Sequence, residues 1–231
     1  VLPGLVAWFR ADALALSNGA TVTTWPDNSP NNNDLNSYEG TPTYNASDAL
    51  LNNKPSVTYN GSASNYRSNP TGLPTGSSAC TTYVVGYWDG TAGNHSAFGW
   101  GANAYTGSRL GVFRDDTGMN FEAQSIGTTK RANTASTPFV FFLPYTAGAS
   151  FSASSTYLNG INLAGGDAAA PNIINPVSEI TIGRPATAAT ERWTGAIAEV
   201  LVYNVTHGAE EYDAVQNYLG TKYGITILPP A

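Results

Sequence analysis

A chain of 231 residues is long enough for one large β-sandwich or two small domains. Apolar residues reach 42%, enough for a core, while charged residues are only 11%, less than half of the usual share of about 25%. Lys, Glu and Arg are too scarce for a coiled coil, and 11% aromatics argue against a charge-driven disordered chain. Ten basic residues against sixteen acidic ones, a net charge of −6, give no sign of a nucleic-acid partner.

Short strands are predicted from the start of the chain. Leu5–Phe9 and Thr21–Trp25 come first, then Val57–Tyr59, closed by Asn60-Gly61. Trp8 and Trp25 alternate with apolar neighbours and are expected in the core. Thr81–Trp88 follows, preceded by Cys80, which is the single cysteine; it excludes an intrachain disulfide and reads as a buried thiol. Ala97–Trp100 and Arg109–Phe113 precede a turn at Asp115–Gly118. Phe139–Tyr145 is a strong strand in which Pro144 suggests an edge or bulge.

Ser155–Leu158 and Ile161–Leu163 flank Asn159-Gly160, a pair that tolerates positive φ at both positions of a hairpin turn. Glu179–Ile182 and Ala196–Tyr203 complete the strand set. A single helix is predicted over 209–223, with Tyr212, Val215, Tyr218 and Leu219 on one face. Thr206 is the expected N-cap, Glu210 and Glu211 suit the first turn, and Gly224 suits the C′ position. Ile225–Ile227 is expected to return to the sheet. No run of 18 apolar residues occurs, so no membrane insertion is expected.

Four segments carry a family resemblance. They are Leu5–Asp12, Thr21–Ser29 with its Trp25-Pro26-Asp27-Asn28-Ser29 loop, Pro55–Gly61, and Gly195–Tyr203 followed by the helix and Tyr218–Thr226. In order and spacing these resemble LamG-like jelly-roll domains of the concanavalin A-like lectin/glucanase superfamily, of the bacterial secreted or surface type. The resemblance implies an all-β, two-sheet antiparallel jelly-roll sandwich with one C-terminal α-helix. It further implies a single domain over 1–228, with 229–231 beginning a linker or tail, in an extracellular, secreted or surface-anchored protein.

Catalytic chemistry finds little support in the residues. Paired carboxylates at alternate strand positions, as glycoside hydrolysis in this superfamily uses, are missing; Asp115 and Asp116 are adjacent and read as a turn. His95 and His207 sit in no lyase-like motif, and one cysteine with two distant histidines makes zinc improbable. Glu199 lies inside an apolar strand and needs a hydrogen-bonding partner there. No cofactor is required, although the oxygen-rich loop from Asp27 to Asp34 makes calcium a candidate, with both carboxylates as ligands.

Sugar recognition combines aromatic faces with a few polar groups. Trp88, Asp89, Trp100, Tyr105, Arg109 and Trp193 lie close to predicted turns and are the candidate ligand contacts. The expected function is therefore a non-catalytic recognition or adhesion module with a polysaccharide or glycan ligand. A structural subunit of an adhesin, appendage or filament, packing against neighbouring domains or subunits, is the alternative. A glycan-active hydrolase or lyase stands third.

Overall fold

Period-2 alternation becomes fifteen strands and one α-helix across residues 2–229, the part of the chain that the computed structural model describes. Of the expected tail, Pro230 and Ala231 lie outside these residues. In chain order the first strands are β1 (Leu5–Arg10), β2 (Ser37–Glu39), β3 (Thr43–Asp48), β4 (Lys54–Asn60) and β5 (Ser64–Ser68). Then come β6 (Cys80–Trp88), β7 (His95–Gly101), β8 (Arg109–Asp115), β9 (Gly118–Ala123) and β10 (Ile126–Gly127). The last are β11 (Phe139–Tyr145), β12 (Ser155–Leu158), β13 (Ile161–Ala164), β14 (Glu179–Ile182) and β15 (Thr194–Tyr203), followed by α1 (Ala209–Tyr223).

All pairings between these strands are antiparallel. One sheet runs β13-β12-β11-β6-β15-β4-β3, with β1 paired to the second half of β15. The other runs β10-β9-β8-β7-β14-β5-β2. The expected two-sheet sandwich with one C-terminal helix is the observed architecture.

The core lies between the sheets. Phe98, Trp100, Phe121, Ile180 and Ile182 face Trp25, Phe141, Val200 and Val202 across it. Phe121 and Phe141 stack with ring centroids 5.0 Å apart, and Phe139 meets Trp193 edge-on at 6.3 Å. Cys80 is buried here, and burial pushes its thiol up to about 12.

The centre of the first sheet is buried on both faces. Helix α1 lays Val215, Leu219 and Tyr223 over Tyr83, Val85, Phe142, Leu201 and Tyr203. All ten residues of β15 are buried as a result, which is why the strand reads as one apolar run. Tyr218, expected on the packed face, is 45% exposed, and Tyr223 takes that place.

The helix spans the expected residues, but its cap differs. Its N-cap is Gly208, without a side-chain cap, because the Thr206 hydroxyl donates instead to the Tyr145 carbonyl at 2.6 Å. Gly224 ends it at φ +67°, its N–H bonded to Gly220 O. The Asn159-Gly160 hairpin also forms as expected, with φ of +50° and +87°.

Two predicted strands do not form. Thr21–Trp25 makes only isolated bridges, to Thr43 and Leu35, since its backbone bonds are split between two partners before Pro26. Ile225–Ile227 turns back onto the helix end, with Ile225 N–H bonded to Gly220 O and its side chain in the outer cluster.

Candidate functional site

Strand period decides the fate of the predicted ligand contacts. Trp100 shares the inner face of its strand with Phe98, and it is fully buried, its indole N–H donating to Pro74 O at 2.9 Å. Trp193 is equally buried between the sheets. Neither offers a ring face to a ligand, and the two expectations are corrected accordingly. Trp88 is 9% exposed, and the Arg114 guanidinium covers its ring at 3.2 Å from the centroid. Asp89 is exposed but ties down its own turn through the Thr91 N–H. Tyr105 projects from the β7–β8 loop, 45% exposed.

Arg109 lies on the outer face of the second sheet, mostly buried. Its Nη2 stands 3.7 Å from Glu122 and 3.6 Å from Glu191. Burial raises the Glu122 carboxyl above its ordinary range, opposed mainly by its bond to the Ser125 N–H and by the charge of Arg109.

The same outer face carries a second set of charges. Alternation places Glu179 and Thr181 of β14, Ser64 and Tyr66 of β5, and Glu39 of β2 on it. Arg184 grips Glu179 with both Nη atoms, at 2.7 and 2.9 Å, and lies over the Tyr66 ring at 4.5 Å. Arg192 pairs with Glu39 and reaches the Ser64 hydroxyl at 3.1 Å. That bond to Arg192 holds the Glu39 carboxyl below its ordinary range.

A strap, residues 183–192, delivers Arg184, Glu191 and Arg192 to this face. Its Ala186 is fully buried, and with Pro185 it covers the glycine-floored centre around Gly99 and Gly111. Thr187 and Glu191 of the strap have φ of +54° and +59°, unusual for such side chains. Thr187 is held there by its N–H to Glu179 at 2.8 Å and its hydroxyl to the Asn103 N–H at 2.6 Å. Such conformations persist only where surroundings over-determine them, and they gather at functional sites. Beside the strap lies an open basin of about 220 Å³ lined by Glu39, Glu179, Arg184, Thr187, Ala188 and Ala189. Sequence reasoning missed it because no motif links residues 39, 66, 179 and 184; only strand pairing brings them together.

The calcium expectation meets a different arrangement. The Asp27 carboxylate is buried and accepts four hydrogen bonds, from Trp8 N–H, Ser29 N–H, Ser29 Oγ–H and Asn33 N–H, at 2.8–2.9 Å. Its lone pairs face donors and leave none for a cation. Asp34 turns its Oδ1 to the Asp27 N–H at 2.8 Å. Together with Asn28 and Asn31, which serve the Trp8 and Val6 carbonyls, this loop pairs the free edge of β1. It is an edge cover, and the correction applies to Asp27 as a metal ligand.

On the opposite side of the molecule, Trp8 departs from its expected core position. It is half-buried and helps line an apolar cleft of about 380 Å³ with Leu2, Leu5, Leu201, Val215 and Tyr218. Its indole N–H donates to Glu199 at 2.6 Å. Glu199, fully buried, also accepts from Lys222 Nζ at 2.7 Å and Tyr223 Oη at 2.8 Å. Lys222 in turn meets Asp12 at 3.0 Å. The partner that Glu199 needs is thus a lysine of α1.

No family model and no curated protein matches the sequence. Solved structures share the fold. Domain 4 of an extracellular GH43 arabinanase from Geobacillus stearothermophilus, in complex with arabinotriose, aligns over 95% of this chain and 98% of its own, with TM-score 0.61 and 12% identity. An arabinofuranosidase complexed with arabinofuranosyl-alpha-1,2-xylobiose aligns over 87% of this chain and 51% of its own, at TM-score 0.60 and 15% identity. Trypanosoma rangeli sialidase, in complex with sialic acid, aligns over 96% and 33%, at TM-score 0.58 and 16% identity. The chain therefore spans about half of one of these larger proteins and a third of the other. The likeness is one of fold: a β-sandwich that occurs within carbohydrate-active glycosidases.

Proposed function

We propose that this chain is a single non-catalytic carbohydrate-recognition module, LamG-like in kind, working outside the cell as part of a larger glycan-handling or adhesive protein. The observation that carries this reading is the basin beside the strap. Its charged side chains are pre-ordered by ion pairs and a cation–π contact, yet Glu39 remains 39% exposed at its side chain. Ordered carboxylate and guanidinium groups at a shallow surface suit the directional hydrogen bonding of sugar hydroxyls. A fold shared end to end with a domain solved on arabinotriose supports the ligand class.

Hydrolysis fits the site poorly. Two carboxylate pairs lie on this face: Glu122 and Glu191 are both paired to the same Arg109, and Glu39 and Glu179 of the basin are held by Arg192 and Arg184. Pro185 and Ala186 close the space beside the first pair. Glycoside hydrolysis needs two carboxylates with a sugar between them.

Titration calorimetry with arabinotriose, backed by a neutral-glycan array, tests the proposal. Binding that weakens at least tenfold in Arg192→Gln is the expected outcome. Absence of binding to every glycan presented would overturn it. Release of reducing sugar from any bound polysaccharide would replace the non-catalytic part with an enzymatic one.

The apolar cleft favours a second reading, a packing module whose neighbour fills the space beside Trp8 and Tyr218. Concentration-dependent association in sedimentation, abolished by Tyr218→Ser, would support it over the first.

A further inference from the structure

The basin has a detail that narrows its ligand, granted the carbohydrate reading above. Arg184 is 5% exposed, and its two Nη atoms are occupied by Glu179, Pro185 O and Ala188 O. Its Nε is buried and has no hydrogen-bond partner. Oε2 of Glu39, which also accepts from Arg192, lies 3.7 Å from it, beyond hydrogen-bond reach. An unpaired donor thus lies beside a carboxylate oxygen that has a lone pair left after Arg192, and a group seated over the two can bond to both.

A hydroxyl group is both acceptor and donor. Placed there, one hydroxyl oxygen accepts from Arg184 Nε–H and donates to Glu39 Oε2, with a modest shift of the half-exposed Glu39 side chain. An ionised carboxylate cannot do this, since it has no proton to give to Glu39. The charges around this point also balance, Glu39 and Glu179 against Arg184 and Arg192, so no net field favours an anion.

Size and shape limit the ligand further. About 220 Å³ is less than the roughly 300–1,000 Å³ of sites that enclose drug-sized molecules. Thr187, Ala188 and Ala189 form one side, and no aromatic side chain lines the basin to stack a run of rings. The geometry points to recognition of a single neutral sugar unit at a chain end, held by a hydroxyl bridging Arg184 and Glu39, rather than of an extended internal stretch of polysaccharide.

The test is a length series: arabinose, arabinobiose, arabinotriose and arabinotetraose, with the corresponding xylose series, titrated calorimetrically. Affinity that changes less than about twofold beyond the first unit is expected. Glu39→Gln should weaken every member about tenfold. Arg184→Lys, which keeps the charge and removes the Nε–H, should do the same, each variant being checked for an unchanged fold by circular dichroism. Ile161→Ser on β13 serves as the unaffected control. Affinity that climbs several-fold with each added unit, or persists unchanged in Glu39→Gln, would sink the chain-end proposal and leave the carbohydrate reading standing. Failure of all members and of the wider glycan array to bind would end that reading itself.

Discussion

Asp27 shows how a single side chain can organise a strand edge. Four donors converge on its carboxylate, two of them from residues 19 positions upstream and 6 downstream. Bonds to an ionised acceptor contribute about 1.5–3 kcal/mol each in the favourable case, and an orphaned buried donor costs about 1–3 kcal/mol. Asp27→Asn should therefore lower unfolding stability by about 2–4 kcal/mol, measured by urea titration. Chelator should leave the wild-type melting temperature unchanged; a fall on chelation would restore a cation to this loop. Glu199 is the second such residue. Lys222→Met would leave its charge buried beside only Trp8 and Tyr223, at an expected cost of about 3–5 kcal/mol. The double change Glu199→Gln with Lys222→Met should recover much of that loss, read as a non-additive urea midpoint.

At the level of elements, the seam between β15 and α1 holds a buried histidine. His207 Nδ1 pairs with Tyr83 Oη at 2.8 Å, and its ring lies 4.2 Å from that of Tyr203. Nε2 is buried without a partner. Burial lowers the His207 pKa from its ordinary value near 6.5, and the charge of Glu211 opposes this only in part. The unfolded chain therefore binds this proton more readily than the folded one. Stability should be full above about pH 6.5 and should fall as the pH drops from there toward the lower folded pKa. Urea midpoints between pH 8 and pH 5 should show that slope in the wild type and lose part of it in His207→Gln. The helix should loosen first, since Thr206, His207 and Thr81 together anchor its entry through bonds of 2.6–2.8 Å.

For the molecule as a whole, what was legible in the sequence is the local alternation. Most strands, the Asn159-Gly160 hairpin, the helix and its Gly224 stop rest on neighbouring residues and form where periodicity puts them; Thr21–Trp25 and Ile225–Ile227 do not form strands. The candidate site rests on pairing between distant strands. Glu39 meets Ser64 and Arg192 through registers that no local pattern encodes, and the tryptophans near turns went inward because their strand phase, not their nearness to a turn, decides exposure. The opening deficit of charge gains a physical account as well. Arg109, Arg184, Arg192 and Lys222 are all engaged with carboxylates inside or against the sandwich. Charge in this protein fixes geometry more than it solvates a surface.

The pairing of β1 with β15 sets the time at which this order can be reached. Leu5 lies opposite Tyr203, and Trp8 bonds to Glu199 across 191 residues of chain. A growing chain cannot finish its larger sheet until β15 has been made, whatever hairpins form earlier. Closing contacts of such long range is slow. The edges of β1, β4 and β6 that β15 will join thus remain open until then, and the Asp27 loop covers only the other edge of β1. A circular permutant that joins the region of β1 directly to that of β15 should fold faster than the natural chain order, as stopped-flow refolding by tryptophan fluorescence would show.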